Sequence, residues 1–278
     1  MKKSISILLI FTALVVVFTN CRKRDKEVDF AKVAKENSIA QNLFDDVFKQ
    51  VDNASKLQDD SCNNQKTGQG VFVRGCATIT ISTMDAVFPK TIVVDFGTQN
   101  CLGNDNRYRR GKLNYTITSW YREPGCLITI VPENFYLNDN KVEGVKTITN
   151  NGRNANNFLN YTIQVNDATI TTSQNNTFTW STLRNHEWIE GETTILNRFD
   201  DVYSITGSAN GITSSQISYN ITINTPLNVL VGCPWVRSGT LTISIDGHND
   251  IVVDYGNGEC DANAVARYNG NEYPFVMN

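Results

Sequence analysis

Ile92-Val-Val-Asp-Phe-Gly-Thr-Gln-Asn-Cys101 returns as Ile251-Val-Val-Asp-Tyr-Gly-Asn-Gly-Glu-Cys260. Each copy is a short apolar strand running into an Asp-aromatic-Gly turn, closed by a cysteine and preceded by another, Cys76 or Cys233. A shift of 159 aligns Ile92 to Ile117 with Ile251 to Val276 without a gap, while the upstream cysteines need a shift of 157. The repetition therefore predicts the disulfides Cys76–Cys101 and Cys233–Cys260, each contributing roughly 3.5 kcal/mol in the chain-entropy picture. Of the seven cysteines, Cys62 and Cys126 then remain as a third pair by elimination, once Cys21 is assigned below. An even set of this kind is a disulfide framework of an oxidising compartment.

Outward from the repeat, alternation of period two marks strands at Thr78-Ile-Thr-Ile81, Leu113-Asn-Tyr-Thr-Ile117, Tyr161-Thr-Ile-Gln-Val165, Thr177-Phe-Thr-Trp180, Tyr219-Asn-Ile-Thr-Ile223 and Leu241-Thr-Ile-Ser-Ile245. Turn dipeptides fall between them: Asp139-Asn140, Asn151-Gly152, Asn210-Gly211, Asp246-Gly247 and Asn269-Gly270. Threonines alternating with Ile or Val give one apolar and one wet face, so the expected class is mainly β, an antiparallel meander or sandwich with repeated hairpins. One amphipathic helix precedes it. Phe30, Val33, Ala34, Ala40, Phe44, Val47, Phe48 and Val51 recur three or four apart, a stripe for packing on the β domain, on a second copy or on a partner.

The first twenty residues read as an export signal, with Lys2 and Lys3 ahead of an apolar run from Ile7 to Phe18 too short to span a bilayer. Cys21 stands where cleavage falls, as in a lipobox, although Phe18-Thr-Asn20 departs from the usual aliphatic and small residues. Lipidation of Cys21 would anchor the chain to a membrane. The expected organisation is signal 1–20, charged tether 21–27, helix 28–56, polar linker 57–70, first disulfide unit 71–117, middle meander 118–231 and second unit 232–278. Removing the signal leaves 23 basic against 28 acidic residues, a formal charge of −5. That balance excludes nucleic acid as a bulk-charge partner.

Motifs for chemistry are sparse. The hydrolase elbow, the phosphate loop and the dinucleotide glycine pattern are missing. His186-Glu-Trp-Ile-Glu190 begins like the zinc-protease motif but lacks its second histidine, and no Cys-x-x-Cys pair exists, so no cofactor is expected. Glu187, Glu190 and Glu192 are carboxylates a glycosidase could use; Glu187 and Glu190 with Trp180 and Trp188 form the glycan candidate, although core and cross-strand packing is the commoner role of such aromatics in a β protein. Asp254, Asn257, Glu259 and Asp261 are the calcium candidate. The first copy carries Asp95, Thr98, Asn100 and Leu102 there, so Asp95 and Asp254 read chiefly as turn formers.

The succession Cys76…Val-Asp-Phe-Gly-Thr-Gln-Asn-Cys101, Arg109-Arg-Gly-Lys112, Tyr121-Arg-Glu-Pro-Gly125, Thr149-Asn-Asn-Gly152, Val202-Tyr-Ser-Ile-Thr-Gly207 and Asp254-Tyr-Gly-Asn-Gly-Glu-Cys-Asp261 resembles a family of uncharacterised Bacteroidetes lipoproteins. The resemblance implies an envelope address, the outer membrane above all, and transfers no catalytic or binding residue. The expected function is a non-enzymatic, lipid-anchored β scaffold that binds a glycan or an envelope protein. The alternative is a carbohydrate-binding or carbohydrate-active surface lipoprotein using residues 180–192. Self-association through residues 28–54 is a further expectation.

Overall fold

The computed structural model describes residues 30–62, 68–194 and 197–277. The expected signal, Cys21 and the tether lie outside them. A helix, α1 (Phe30–Ser61), is followed by fifteen strands: β1 (Gly70–Arg74), β2 (Ala77–Ile81), β3 (Lys90–Asp95), β4 (Cys101–Leu102), β5 (Tyr108–Ile117), β6 (Leu127–Leu137), β7 (Asn140–Arg153), β8 (Leu159–Thr171), β9 (Thr177–Glu190), β10 (Val202–Ile212), β11 (Ser218–Leu230), β12 (Val236–Ser244), β13 (Ile251–Asn257), β14 (Asn263–Tyr268) and β15 (Asn271–Val276). They form one antiparallel sheet in chain order from β1 to β15, with only β4 off the path as a short partner of β5. The mainly β class is as expected, and the sheet is a single meander.

The sheet curls around the helix. Asn37, Gln41 and Phe48 of α1 meet Trp180, Arg184 and His186 in succession along β9, so helix and strand run side by side. The same helix reaches Arg109 on β5 and Tyr268 on β14, strands nine places apart in the sheet. At about 4.8 Å per strand a flat sheet would hold these about 43 Å apart, against a helix about 10 Å across. Curling resolves the mismatch, and of the described helix side chains Lys35 alone is exposed.

That enclosure corrects the amphipathic expectation. The apolar stripe is buried as predicted, but so are Glu36, Asn37, Gln41, Asp46, Asp52, Ser55 and Gln58 from the polar face. Several are met from the sheet and its turns: Trp180 Nε1 donates to Asn37 at 3.0 Å, Ser55 donates to Tyr115 at 3.3 Å, and the Ser214 amide donates to Glu36 at 2.9 Å. The stripe is therefore covered by the sheet. The helix also runs on to Ser61, past the expected end at 56, because Gln58 is buried and Asp59 accepts a hydrogen bond from the Tyr121 amide.

Both repeat disulfides are present, Cys76–Cys101 and Cys233–Cys260, each with Cα atoms 5.9 Å apart. The third expected pair is not: Cys62 and Cys126 are separate buried thiols. Cys62 lies 3.8 Å from Met84 sulfur, and Cys126 donates to the Ser119 carbonyl at 3.4 Å, so each fills its own niche. The two repeat units occupy opposite edges of the sheet and pair differently. In the first, β3 pairs directly with β5, and Gly111 sits inside β5 at a bulge where a Cβ would strike the Asn134 carbonyl. In the second, Asn269 and Gly270 at the aligned place both take positive φ and close the β14–β15 hairpin. Asparagine tolerates that conformation and Arg110 does not, so equivalent segments become a hairpin in one copy and a continuous strand in the other.

Two expected turn dipeptides are strand residues instead: Asn151-Gly152 belongs to β7 and Asn210-Gly211 to β10. The hairpins there close through four-residue turns, 154–157 and 213–216, whose last residues Asn157 and Gln216 carry the positive φ. Asn154 Oδ1 and Thr213 Oγ1 brace them by accepting from the backbone amides of Phe158 and Ile217.

Candidate functional site

A cavity of about 340 Å³ opens along one flank of α1, between Ser38 and Lys49. Five other parts of the chain complete it: Arg107, the β6–β7 hairpin (137–140), the β11–β12 connection (229–236), Tyr255 and Met277. Cys233 is in its wall, so the Cys233–Cys260 bond ties the β11–β12 connection to the segment after β13. Leu43, Leu137, Val229, Trp235, Tyr255 and Met277 make much of the lining apolar, while Asn42, Asp45, Asp46, Lys49 and Asn138 supply polar groups. The size lies at the low end of small-molecule sites, and an apolar body with a few polar contacts is the lining such ligands need.

The polar end is rigid on one side and adaptable on the other. Asp46 is 1% exposed and is gripped by Arg109 through Nε at 2.9 Å and Nη2 at 2.5 Å, with Arg107 at 3.6 Å. Burial works against the Arg109 charge, but its bonds to Asp105 and Asp46 outweigh that and raise its pKa. Asp105 is held below the usual carboxylate range by the same arginine in spite of burial. One turn from Asp45, Lys49 is pushed down by burial, with Arg107 adding to the effect and Asp45 opposing it. Asp45 and Lys49 thus present one carboxyl group and one partly desolvated amine to the cavity.

Behind the helix flank lies a cationic layer. Lys146 on β7 is 1% exposed and donates to the Phe44 carbonyl at 2.7 Å; burial holds its pKa down to about 7, partly opposed by Asp45. Arg184 on β9 is lowered by burial and reaches Gln41 Oε1 at 3.3 Å. Burial pushes His186 well below its ordinary value, with Lys146 and Arg184 adding to the shift. Gln41, which lines the cavity, connects that layer to it.

The residues singled out from sequence are elsewhere. Trp180 and Trp188 are 2% and 1% exposed and face inward, stacked on Phe44 and Tyr203. Glu187, an odd number of residues from both on the same strand, projects from the opposite face, where it accepts from Asn154 at 2.9 Å, and Glu190 is exposed at the strand's last position. Both rings are closed off from solvent and Glu187 lies across the sheet from them, so the four residues do not gather on one open face. Trp188 instead joins Tyr121, Tyr161 and Tyr203 around Asp52 near the helix C-terminus; burial foremost, then the Asp52 charge, pushes the three phenols up.

The calcium candidate also dissolves. Asp254 accepts from the Gly256 amide and pairs with Arg267, Asn257 accepts from Glu259, and Asp261 accepts from Asn263. These are turn-forming bonds, and among the described residues no group of three or more His, Cys, Asp or Glu could hold a metal ion. The cavity residues were missed because they come from positions 38 to 277. One local signal existed: Gln41, Asn42, Asp45, Asp46 and Lys49 form a polar stripe at helical spacing beside the apolar one. No protein-family model, curated protein or solved structure matches the chain.

Proposed function

We propose that the chain is an exported, lipid-anchored binding protein of the cell envelope, and that the cavity beside α1 holds a small amphipathic molecule. The cavity itself carries this reading: it is a preformed, mostly apolar recess with an acid and an amine at one end, on a helix that the sheet otherwise encloses. The ligand's apolar body would rest on Leu43, Trp235 and Tyr255, and its polar end would meet Asp45 and Lys49. Support for export comes from the signal-like start, the lipobox-like Cys21 and two disulfides, which persist in oxidising compartments. The outer membrane is the proposed location. The proposed role is capture, with the apolar wall holding the ligand's body and the Asp45–Lys49 end its polar group.

The test is native mass spectrometry of protein released from its own cells without denaturant. The wild type is expected to carry an added mass of small-molecule size, and Asn42→Trp, which puts an indole into the cavity, is expected to lack it. Bare protein in both samples, or the same added mass in both, would count against the cavity.

A further inference from the structure

We infer that the free edge of β1 is a self-complementary docking strand through which two copies of this chain join into one continuous sheet. Among the described residues the sheet is open: β1 pairs only with β2, and β15 only with β14. The two edges differ in what they offer. A two-residue connection, Gly75-Cys76, joins β1 to β2, so Arg74 and Ala77 form the hydrogen-bonded pair next to the turn. Alternation then turns the amide and carbonyl groups of Phe72 and Gly70 toward β2, and those of Val71 and Val73 outward. The side chains of these same two valines are 59% and 71% exposed.

The other edge is closed to such pairing. The Asn269-Gly270 turn makes Tyr268 and Asn271 the first hydrogen-bonded pair, which points the backbone of residues 272, 274 and 276 outward. Residue 274 is a proline, with no amide hydrogen to give. An edge blocked in its middle disfavours head-to-tail addition of β1 onto β15, the arrangement that would propagate into fibres.

Two β1 strands fit each other. In the antiparallel register centred on Phe72, Val71 faces Val73 of the second copy and Val73 faces its Val71, both as hydrogen-bonded pairs. Arg74 then stands opposite Gly70 of the second copy, so no like charges meet. Four interchain hydrogen bonds and two valine–valine pairs result, of the kind that stabilise antiparallel neighbours. The strand is short, so the dimer is weak and depends on concentration.

Sedimentation velocity across a concentration series tests this. A reversible monomer–dimer equilibrium is expected for the wild type, and a monomer at every concentration for Val73→Pro, which deletes an outward amide and leaves the β1–β2 bonds intact. Unchanged melting would show that the proline variant is folded; if it is not, Val73→Lys serves the same purpose. Position 72 faces itself across the two-fold axis, about 4.5 Å apart at Cα. Phe72→Cys should therefore form a covalent dimer on mild oxidation, and Val71→Cys should not. A wild type that stays monomeric, a dimer that survives both substitutions at 73, larger oligomers, or equal crosslinking at 71 and 72 would each overturn the proposal.

Discussion

Asp46→Ala is expected to lower folding stability by about 3–5 kcal/mol, the loss typical of removing one partner from a buried ion pair. Asp46 projects from the middle of α1 onto β5, where the Arg109 guanidinium is 3% exposed and gives it two hydrogen bonds. Without it Arg109 keeps Asp105, whose side chain is about half exposed and therefore weakly coupled. Asp105→Ala should accordingly cost about 1 kcal/mol or less. Replacing both buried partners, Asp46→Leu with Arg109→Met, should recover much of the loss, because no uncompensated charge is left inside. Urea unfolding of the three variants is the measurement. Equal costs for Asp46→Ala and Asp105→Ala would contradict the view that the helix is pinned to the sheet at this pair.

Lys146→Met should stabilise the protein by about 1–4 kcal/mol at pH 7 and flatten its stability on the alkaline side. In the folded chain burial holds Lys146 near pH 7, whereas its ordinary value is 10.5. Between these two values the unfolded chain binds a proton that the folded chain does not, so the wild type gains stability as pH rises through that window, by up to about 1.4 kcal/mol per pH unit. Above pH 10 the effect reverses, since burial pushes Tyr115, Tyr121 and Tyr203 up and the unfolded chain loses their protons first. Denaturation midpoints at pH 7 and just below pH 10 should differ clearly in the wild type and little in the methionine variant. A variant less stable than wild type at pH 7 would mean that the charged amine is compensated in the folded state.

The strands were legible because their information is local. Thr-Ile alternation at 78–81, 161–165 and 219–223 states which face is wet, and the cysteine repeat states which thiols meet. The curl of the sheet was not legible. It is set by polar contacts such as Asn37 with Trp180 and Gln41 with Arg184, 143 residues apart, and neither end announces the other. A polar helix face ordinarily means solvent; here it means Arg, Lys and Trp arriving from strands. The Cys62–Cys126 expectation failed for a related reason, since an even count says nothing about distance and each thiol is packed in its own niche. Asn151-Gly152 shows the limit of turn dipeptides: β8 continues the pairing across it, and a bulge in β7 absorbs the glycine. The cavity needed all of this at once, because its walls are joined only after the sheet has curled.

The most direct test of the binding account is titration with N-phenyl-1-naphthylamine, a small neutral fluorophore with an apolar body and one amine. Saturable binding with one site is expected for the wild type, with a loss of at least about tenfold in affinity, about 1.4 kcal/mol, for Asn42→Trp at unchanged melting temperature. No saturable binding to the wild type, or equal affinity in the two proteins, would show that the recess beside α1 is not a ligand site.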